Sequence, residues 1–269
     1  MSRKLTGVPE TLLIPLVERA VETKEPEPII RDKKAIDIIS RIDYDFSSLE
    51  KDWILQIGVA VRTKLLDDAT RAFLQQYPDA VVVNLGAGLS THFVRLDNGR
   101  VRWYDLDLPE VIELRRSFFT ETERYSFISG SLFDFSWLDD IDRSQGPVLF
   151  IAEGLLYYFE EKEVKMLLRT LAESFPGAEM LFEMLGYKLI GKYHRSAGRH
   201  LSGDGDVEFR WALKDTRDIE MWNSRLRFVE EWRCCDYYRS RWRWLGLLYR
   251  LVPPLRTMAS SRIVHLRFL

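Results

Sequence analysis

The hydrophobic pattern along this chain changes period twice, and the changes divide it into three stretches. Residues 1–78 are helical in rhythm. Thr11–Thr23 puts Leu12, Leu13, Leu16, Val17 and Ala20 at helical spacing, and Pro15 inside it predicts a late start or a kink. Lys24–Pro28 is a charged, proline-containing break. Asp32 reads as the N-cap of a helix over Lys33–Ile42. Asp52–Gln76 reads as one long or broken helical region. These front helices are expected to cover one side of a crevice.

Over residues 79–185 short apolar runs alternate with helical ones. Strands are expected at Ala80–Leu85, Arg100–Leu106, Tyr125–Ser129, Pro147–Ala152 and Glu179–Leu185. Helices are expected at Pro109–Phe119 and Glu161–Phe175. In the second, Val164, Leu167, Leu168, Leu171 and Phe175 share a face. This alternation predicts an α/β fold with a doubly wound, mainly parallel sheet.

The rhythm breaks again over residues 186–269. Gly186–Val207 mixes glycines with Lys, Arg and His, and reads as a lid beside the crevice or as a long surface connection. Asp215–Trp222 looks helical, and Leu226–Cys235 and Arg262–Phe268 read as late strands. Tyr237–Tyr249 is rich in Arg and Trp; its rings are expected to pack on the domain rather than to stack on bases. The whole is read as a single domain: helical cover, core, and lid with late strands.

The strand alternation locates the chemistry. The first strand runs into Gly86-Ala87-Gly88, and the second ends near two acids, Asp105 and Asp107. Such a turn lets a ligand approach the backbone, and an acid about 20 residues on can take both hydroxyls of a ribose. Asp107 has that separation from Gly86. A dinucleotide fingerprint needs a third glycine where this chain has Thr91. The turn therefore favours a nucleoside without a pyrophosphate, of which S-adenosylmethionine is the common example.

Composition narrows the partners. The chain of 269 residues carries a net charge of -2, which argues against nucleic acid. Its two cysteines, Cys234 and Cys235, are adjacent and build no disulfide framework, so a reducing, cytoplasmic location is expected. No zinc-type spacing and no long apolar span is present, so neither a metal nor a membrane is expected.

Each group of S-adenosylmethionine has a candidate partner. Asp134 and Phe135, after the third strand, suit the adenine. Glu153, at the end of the fourth strand, suits the ammonium, though an acid there also caps helices. Arg62 suits the carboxylate, though from spacing alone it reads as a surface cation on an amphipathic helix.

The chain resembles the leucine carboxyl methyltransferase family, and within it the bacterial tetracenomycin-type polyketide O-methyltransferases. Five segments carry the resemblance in order: Arg62-Thr63, NLGAGLST, LDLPEVIELR, SLFDFSWLDD and AEGLLYYF. It spans roughly Thr11 to Leu185. It implies a class I methyltransferase fold and S-adenosylmethionine as cofactor. Arg62 would bind the methionine carboxylate, and Gly86 and Gly88 would line the methionine and ribose region. Asp107, ahead of Asp105, would hold the ribose. Asp134 and the backbone of Phe135 would meet the adenine, Glu153 the amino end, and Tyr158 would sit near the transferred methyl. One departure stands out. Many relatives continue the glycine turn with Asp-Thr-Arg, where this chain reads Ser90-Thr91-His92. His92 reads as a substrate-side group or, preferred, as a histidine on a helix surface.

These readings predict methyl transfer to a carboxylate or phenol of a small, polyketide-like molecule. A carboxylate is preferred, because at neutral pH it needs no general base. Tyr187, Tyr193, His194 and Arg199 are the expected acceptor contacts. The rivals are methylation of a protein C-terminal carboxylate and a non-catalytic module that binds the cofactor; nicotinamide chemistry is disfavoured by Thr91.

Overall fold

The computed structural model describes residues 10–46, 52–191 and 208–269. Most of the expected lid, including Tyr193, His194 and Arg199, lies outside the described residues.

Three helices come first: α1 (Leu13–Thr23), α2 (Lys33–Arg41) and α3 (Trp53–Gln76). A short 3-10 turn, Glu10–Leu12, precedes α1. Pro15 therefore falls in the first turn, where a missing N–H breaks no helical bond. Asp32 caps α2 by accepting from the Ala35 N–H at 2.9 Å. Asp52 caps α3, which runs unbroken.

The sheet follows: β1 (Val81–Leu85), β2 (Arg102–Asp107), β3 (Tyr125–Ser129), β4 (Val148–Ala152), β5 (Glu179–Met184), β6 (Leu226–Arg233) and β7 (Arg262–Phe268). Between them lie α4 (His92–Leu96), α5 (Pro109–Arg116), α6 (Glu161–Ser174), α7 (Arg243–Leu251) and α8 (Pro254–Ala259). Asp215–Trp222 forms a 3-10 helix, Thr216–Met221, rather than an α-helix.

The strand order is β3-β2-β1-β4-β5-β7-β6. The first five strands are parallel, and β7 pairs antiparallel with both β5 and β6. β1 is buried on both faces, as an apolar central parallel strand should be. Val81, Val83 and Leu85 pack toward α6, with Val164, Leu167, Leu168 and Leu171. Val82 packs on the other face, toward Leu13, Leu16 and Val17 of α1 and Val61 of α3. The order reverses between β1 and β4, which opens a crevice at their carboxyl ends. The glycine turn leaves β1 there, Asp107 ends β2 beside it, and Glu153 follows β4.

Candidate functional site

A cavity of about 230 Å3 lies at this crevice. Its lining brings together Arg62, Gly86, Gly88, Asp107, Glu153 and Tyr158 from four separate stretches of sequence. Asp134 and Phe135 do not line it. Asp134 is exposed and caps the 3-10 helix Phe135–Asp140 by accepting from the Ser136 N–H at 3.3 Å. Their loop still begins at the crevice, because the Gly130 N–H donates to the Asp107 carbonyl at 2.9 Å.

The glycine turn is built from two left-handed residues, Gly86 at φ +62° and Gly88 at φ +49°. L-residues avoid this region because Cβ crowds the following carbonyl. At Gly86 a Cβ would also come within 2.6 Å of the Leu155 side chain, whereas at Gly88 the nearest such atom, on Leu12, is 3.7 Å away.

The two acids of β2 separate by environment. Asp105 is enclosed. One oxygen accepts from Arg115 Nε at 2.9 Å and the Tyr125 hydroxyl at 2.6 Å; the other accepts from Asn84 at 2.8 Å and Trp103 at 3.0 Å. Arg115 in turn donates to the carbonyls of Gly88 and Ser90, so Asp105 anchors the turn from beneath. Asp107 borders the cavity and accepts the Gly88 N–H at 2.7 Å and the Leu108 N–H at 2.7 Å. Burial raises its pKa above the ordinary carboxylate value, and those two bonds offset this only in part.

Glu153 is the hub of the site. Its Oε1 accepts from Arg62 Nε at 2.9 Å and Thr63 Oγ1 at 2.8 Å, and its Oε2 lies 2.8 Å from His92 Nε2. Burial alone would raise its pKa, but the Arg62 charge and the His92 bond outweigh burial and hold the carboxyl well below its usual range. Arg62 is buried, not a surface cation. Its Nη1 donates to Glu183 Oε2 at 2.9 Å. Its α3 is apolar on several sides, and the partners that neutralise it come from β4 and β5, out of reach of any periodicity argument.

His92 is also buried, at 1% exposure, so the expected helix-surface position is wrong. The reason is a set of charges beneath the turn. His92 Nδ1 lies 2.8 Å from Asp67 Oδ1, and Arg95 donates to Asp67 through Nε at 2.7 Å. Arg95 also donates to Asp32 at 3.0 Å, which Arg19 meets at 2.8 Å. Burial lowers the His92 pKa, but its bonds to Asp67 and Glu153 outweigh this and leave it above 6.5. Sequence reasoning missed Arg19, Asp67, Arg95 and Glu183 here. Arg19 carried a signal, since it stands on the apolar arc of α1 between Leu16 and Ala20.

A second cavity, of about 270 Å3, shares Leu55, Val59, Arg62 and Tyr157 with the first. Its walls are apolar and aromatic, with Leu185, Leu189, Phe209, Trp242 and Tyr249, and Glu183 at the polar end. Trp242 is buried, which fits the packing role expected for its stretch, although Trp244 is 62% exposed. Tyr158 packs on Tyr157 with ring centroids 4.6 Å apart and on Phe209 at 5.8 Å. Burial pushes the Tyr158 hydroxyl up to about 12 and raises that of Tyr157 well above its ordinary value, so both are hydrogen-bond donors at neutral pH. Tyr187 is half-buried and lines neither cavity. Among the described residues no cluster of His, Cys, Asp and Glu is placed to hold a metal ion, and no helix is long and apolar enough to cross a membrane.

Comparison with known proteins gives this geometry a context. The sequence pattern of the leucine carboxyl methyltransferases matches residues 13–172. The tetracenomycin polyketide synthesis O-methyltransferase TcmP of Streptomyces glaucescens is 36% identical over 261 residues, covering 94% of this chain and 94% of that protein. The S-adenosyl-L-methionine-dependent methyltransferase dpfgK of Gibberella zeae is 32% identical over 273 residues, covering 92% and 90%. Among solved structures, the N-methyltransferase NodS of Bradyrhizobium japonicum WM9 with S-adenosyl-l-homocysteine aligns at a TM-score of 0.49 and 12% identity, over 88% of this chain and 99% of that one. The chain belongs to the leucine carboxyl methyltransferase family and is an S-adenosylmethionine-dependent methyltransferase.

Proposed function

We propose that this enzyme methylates an oxygen of a small, largely apolar molecule held in the second cavity, with the cofactor in the first. The observation that carries the reading is the shared wall. One cavity holds the glycine turn, Asp107 and Glu153, positions that suit an amino-acid nucleoside; the other has aromatic walls, Phe209, Trp242 and Tyr249, with Asp52, Glu183, Ser260 and Ser261 as its polar groups, and Arg62 and Tyr157 border both.

The residues present fit the cofactor by charge. Arg62 Nη2 is directed at the cavity side of Gly154, within 3.4 Å of where a Cβ would stand there, and is positioned to take a carboxylate. Glu153 would take the ammonium and Asp107 the ribose hydroxyls, with Gly86 and Gly88 giving close approach. Asp134 and the Phe135 backbone would meet the adenine at the mouth, beyond the described lining. When bound, the cofactor supplies a methyl group already activated by a sulfonium. The chain's own contribution is alignment and the exclusion of water.

A carboxylate acceptor is preferred, since it is ionised at neutral pH and the raised pKa values of Tyr157 and Tyr158 leave them as donors that orient it. Tyr158 is the candidate nearest the methyl. A phenol acceptor is the second reading, and Glu183 is the observation that favours it. Burial raises the Glu183 pKa, and the nearby Glu153 adds to this against the opposing Arg62 charge; a carboxylate in that state is a better base for a phenol. TcmP is named for polyketide synthesis, which supports a polyketide-like acceptor.

The test is transfer of labelled methyl to naphthoic acids, naphthols and peptides with a free C-terminal carboxylate. Label released as methanol by mild base marks an ester; base-stable label marks an ether. Ester on the naphthoic acid alone supports the first reading, and ether on the naphthol the second. Label on the peptides alone would replace both with protein carboxyl methylation. Cofactor binding with no transfer to any acceptor class would leave a binding module.

A further inference from the structure

His92 is the one imidazole in the buried charge set, and imidazole is the side chain whose ordinary pKa lies nearest neutrality. Asp67 approaches from α3, Arg95 from its own helix and Glu153 from the end of β4. Behind these stand Asp32 and Arg19 on the Arg95 side, and Arg62 and Glu183 on the Glu153 side. The ring of Trp103 on β2 stacks at 6.5 Å and adds no charge. The set holds the guanidinium groups of Arg19, Arg62 and Arg95 against the carboxylates of Asp32, Asp67, Glu153 and Glu183, with Arg71, 3.9 Å from Asp67, at its exposed edge.

We propose that His92 is a proton-bearing positioning residue for the amino end of the cofactor, and that the two exchange: cofactor binding at Glu153 drives the proton from His92 into solvent. This rests on the placement of the cofactor ammonium at Glu153 given above. Two arguments carry it. The first is charge. The imidazolium and the incoming ammonium face the same largely buried carboxylate, where like charges repel more strongly than in water. S-adenosylmethionine brings one net positive charge and so replaces the proton.

The second argument is that each ring nitrogen keeps a hydrogen-bond partner within reach in both states of the ring. Protonated, it donates from Nδ1 to Asp67 and from Nε2 to Glu153, both at 2.8 Å. Neutral, with its hydrogen on Nε2, it still donates to Glu153, and Nδ1 accepts from Arg95 Nη2, 3.1 Å away. Asp67 keeps its own bonds from Arg95 Nε and Nη2 at 2.7 and 3.0 Å. The proton thus leaves Nδ1 with a donor in reach, at the cost of an acceptor–acceptor contact with Asp67 Oδ1 at 2.8 Å, which Arg95 Nη2 bridges. An arginine at this position would stay charged at all working pH, so the exchange belongs to the histidine.

The experiment is calorimetric titration with S-adenosylmethionine and S-adenosylhomocysteine, from pH 5.5 to 8.5, in buffers of different ionisation enthalpy. The wild type and His92→Gln are compared. Glutamine keeps a donor toward Glu153 but cannot titrate, and any ionisation of the ligand's own amine is common to both proteins. Expected is release of close to one more proton per S-adenosylmethionine bound by the wild type than by H92Q. Less should be released with S-adenosylhomocysteine, which lacks the sulfonium charge. Wild-type affinity for S-adenosylmethionine, relative to H92Q, should climb by up to about tenfold per pH unit while the free protein holds the proton and the complex does not.

Equal proton counts in the two proteins overturn the proposal, and loss of the release in Glu183→Gln instead would assign it to Glu183. Absence of binding by folded wild-type protein at every pH would instead overturn the cofactor assignment. Should H92Q fail to fold, histidine nitrogen spectra of the wild type decide: the His92 pKa must fall on loading, and an unchanged value overturns the exchange.

Discussion

Arg62 Nε donates to Glu153 Oε1 at 2.9 Å, although 91 residues separate the two in sequence. The same guanidinium reaches Glu183, so one cation from α3 ties the ends of two adjacent strands, β4 and β5, at the floor of both cavities. Arg62→Ala leaves two buried carboxylates facing each other. A loss of about 3–5 kcal/mol is expected, together with at least about tenfold weaker binding of S-adenosylhomocysteine. Arg62→Lys keeps the charge but not the fork, and should fall between. Thermal unfolding with calorimetric binding checks this; an Ala variant with wild-type affinity would remove Arg62 from the cofactor site.

The two acids of β2 should respond in opposite ways. Asp105→Asn weakens the enclosed anchor of Arg115 and is expected to destabilise the fold by about 3 kcal/mol. Asp107→Asn keeps an acceptor for the Gly88 N–H and removes a charge that burial disfavours. Its unfolding midpoint should stay within about 1 kcal/mol of wild type, while cofactor affinity falls about tenfold or more with the loss of a charged acceptor. If Asp107→Asn melted as early as Asp105→Asn, Asp107 would be structural.

Gly86→Ala and Gly88→Ala share a left-handed backbone cost of about 1–2 kcal/mol. Only Gly86→Ala also meets a neighbour, the Leu155 side chain at 2.6 Å. Adding Leu155→Ala should therefore recover part of the Gly86→Ala loss and none of the Gly88→Ala loss. Urea unfolding of the two double mutants measures this coupling, and identical recovery in both would show that the contact is not the cause.

Stability should peak in mildly acidic solution. Asp32, Asp67 and Glu153 are held below their ordinary pKa values; in each, burial is outweighed by neighbouring cations and hydrogen bonds. Their contribution is complete above the unfolded carboxylate range, near 4, and is lost as pH falls through the lowered folded values. His92 is raised, so its contribution is complete below about 6.5 and is lost as pH climbs through the raised value. Glu183, raised chiefly by burial, adds to the decline on the alkaline side once it must ionise. Unfolding midpoints across pH 3–9 should show a maximum between about 4.5 and 6.5, and a midpoint still rising above pH 7 would contradict the assignment.

The sheet was legible because each strand carries its own evidence. Val81, Val82 and Val83 are apolar in sequence, bounded by turn residues, and buried on both faces. The glycine turn and Asp107 were legible for the same reason: local backbone geometry demands those residue types. The network under the turn was not. His92 and Arg62 look like surface residues when only helical spacing is counted, because what neutralises them arrives from other strands and helices. Asp32 shows both sides. Its capping bond to Ala35 is local and was readable, while its pairing with Arg19 and Arg95 is tertiary and was not. Asp134 and Phe135 show a further limit: order along the chain placed their loop at the crevice, but not their side chains in the lining.

The antiparallel β7 has a consequence in time. β6 is synthesised before β7, yet among the described strands its one partner is β7, which in turn sits beside β5. β6 therefore waits unpaired until a later segment has docked, and the bond between Glu179 and Arg267 closes a loop of nearly ninety residues. Closing such a loop is slow compared with forming the β1–β2 pair, in which Val81 meets Arg102. The parallel half that carries the glycine turn is thus assembled first, and Glu183 on β5, flanked by β7, gains its final surroundings last. In pulsed hydrogen exchange the β6 amides should become protected no sooner than those of β7, and well after those of β1.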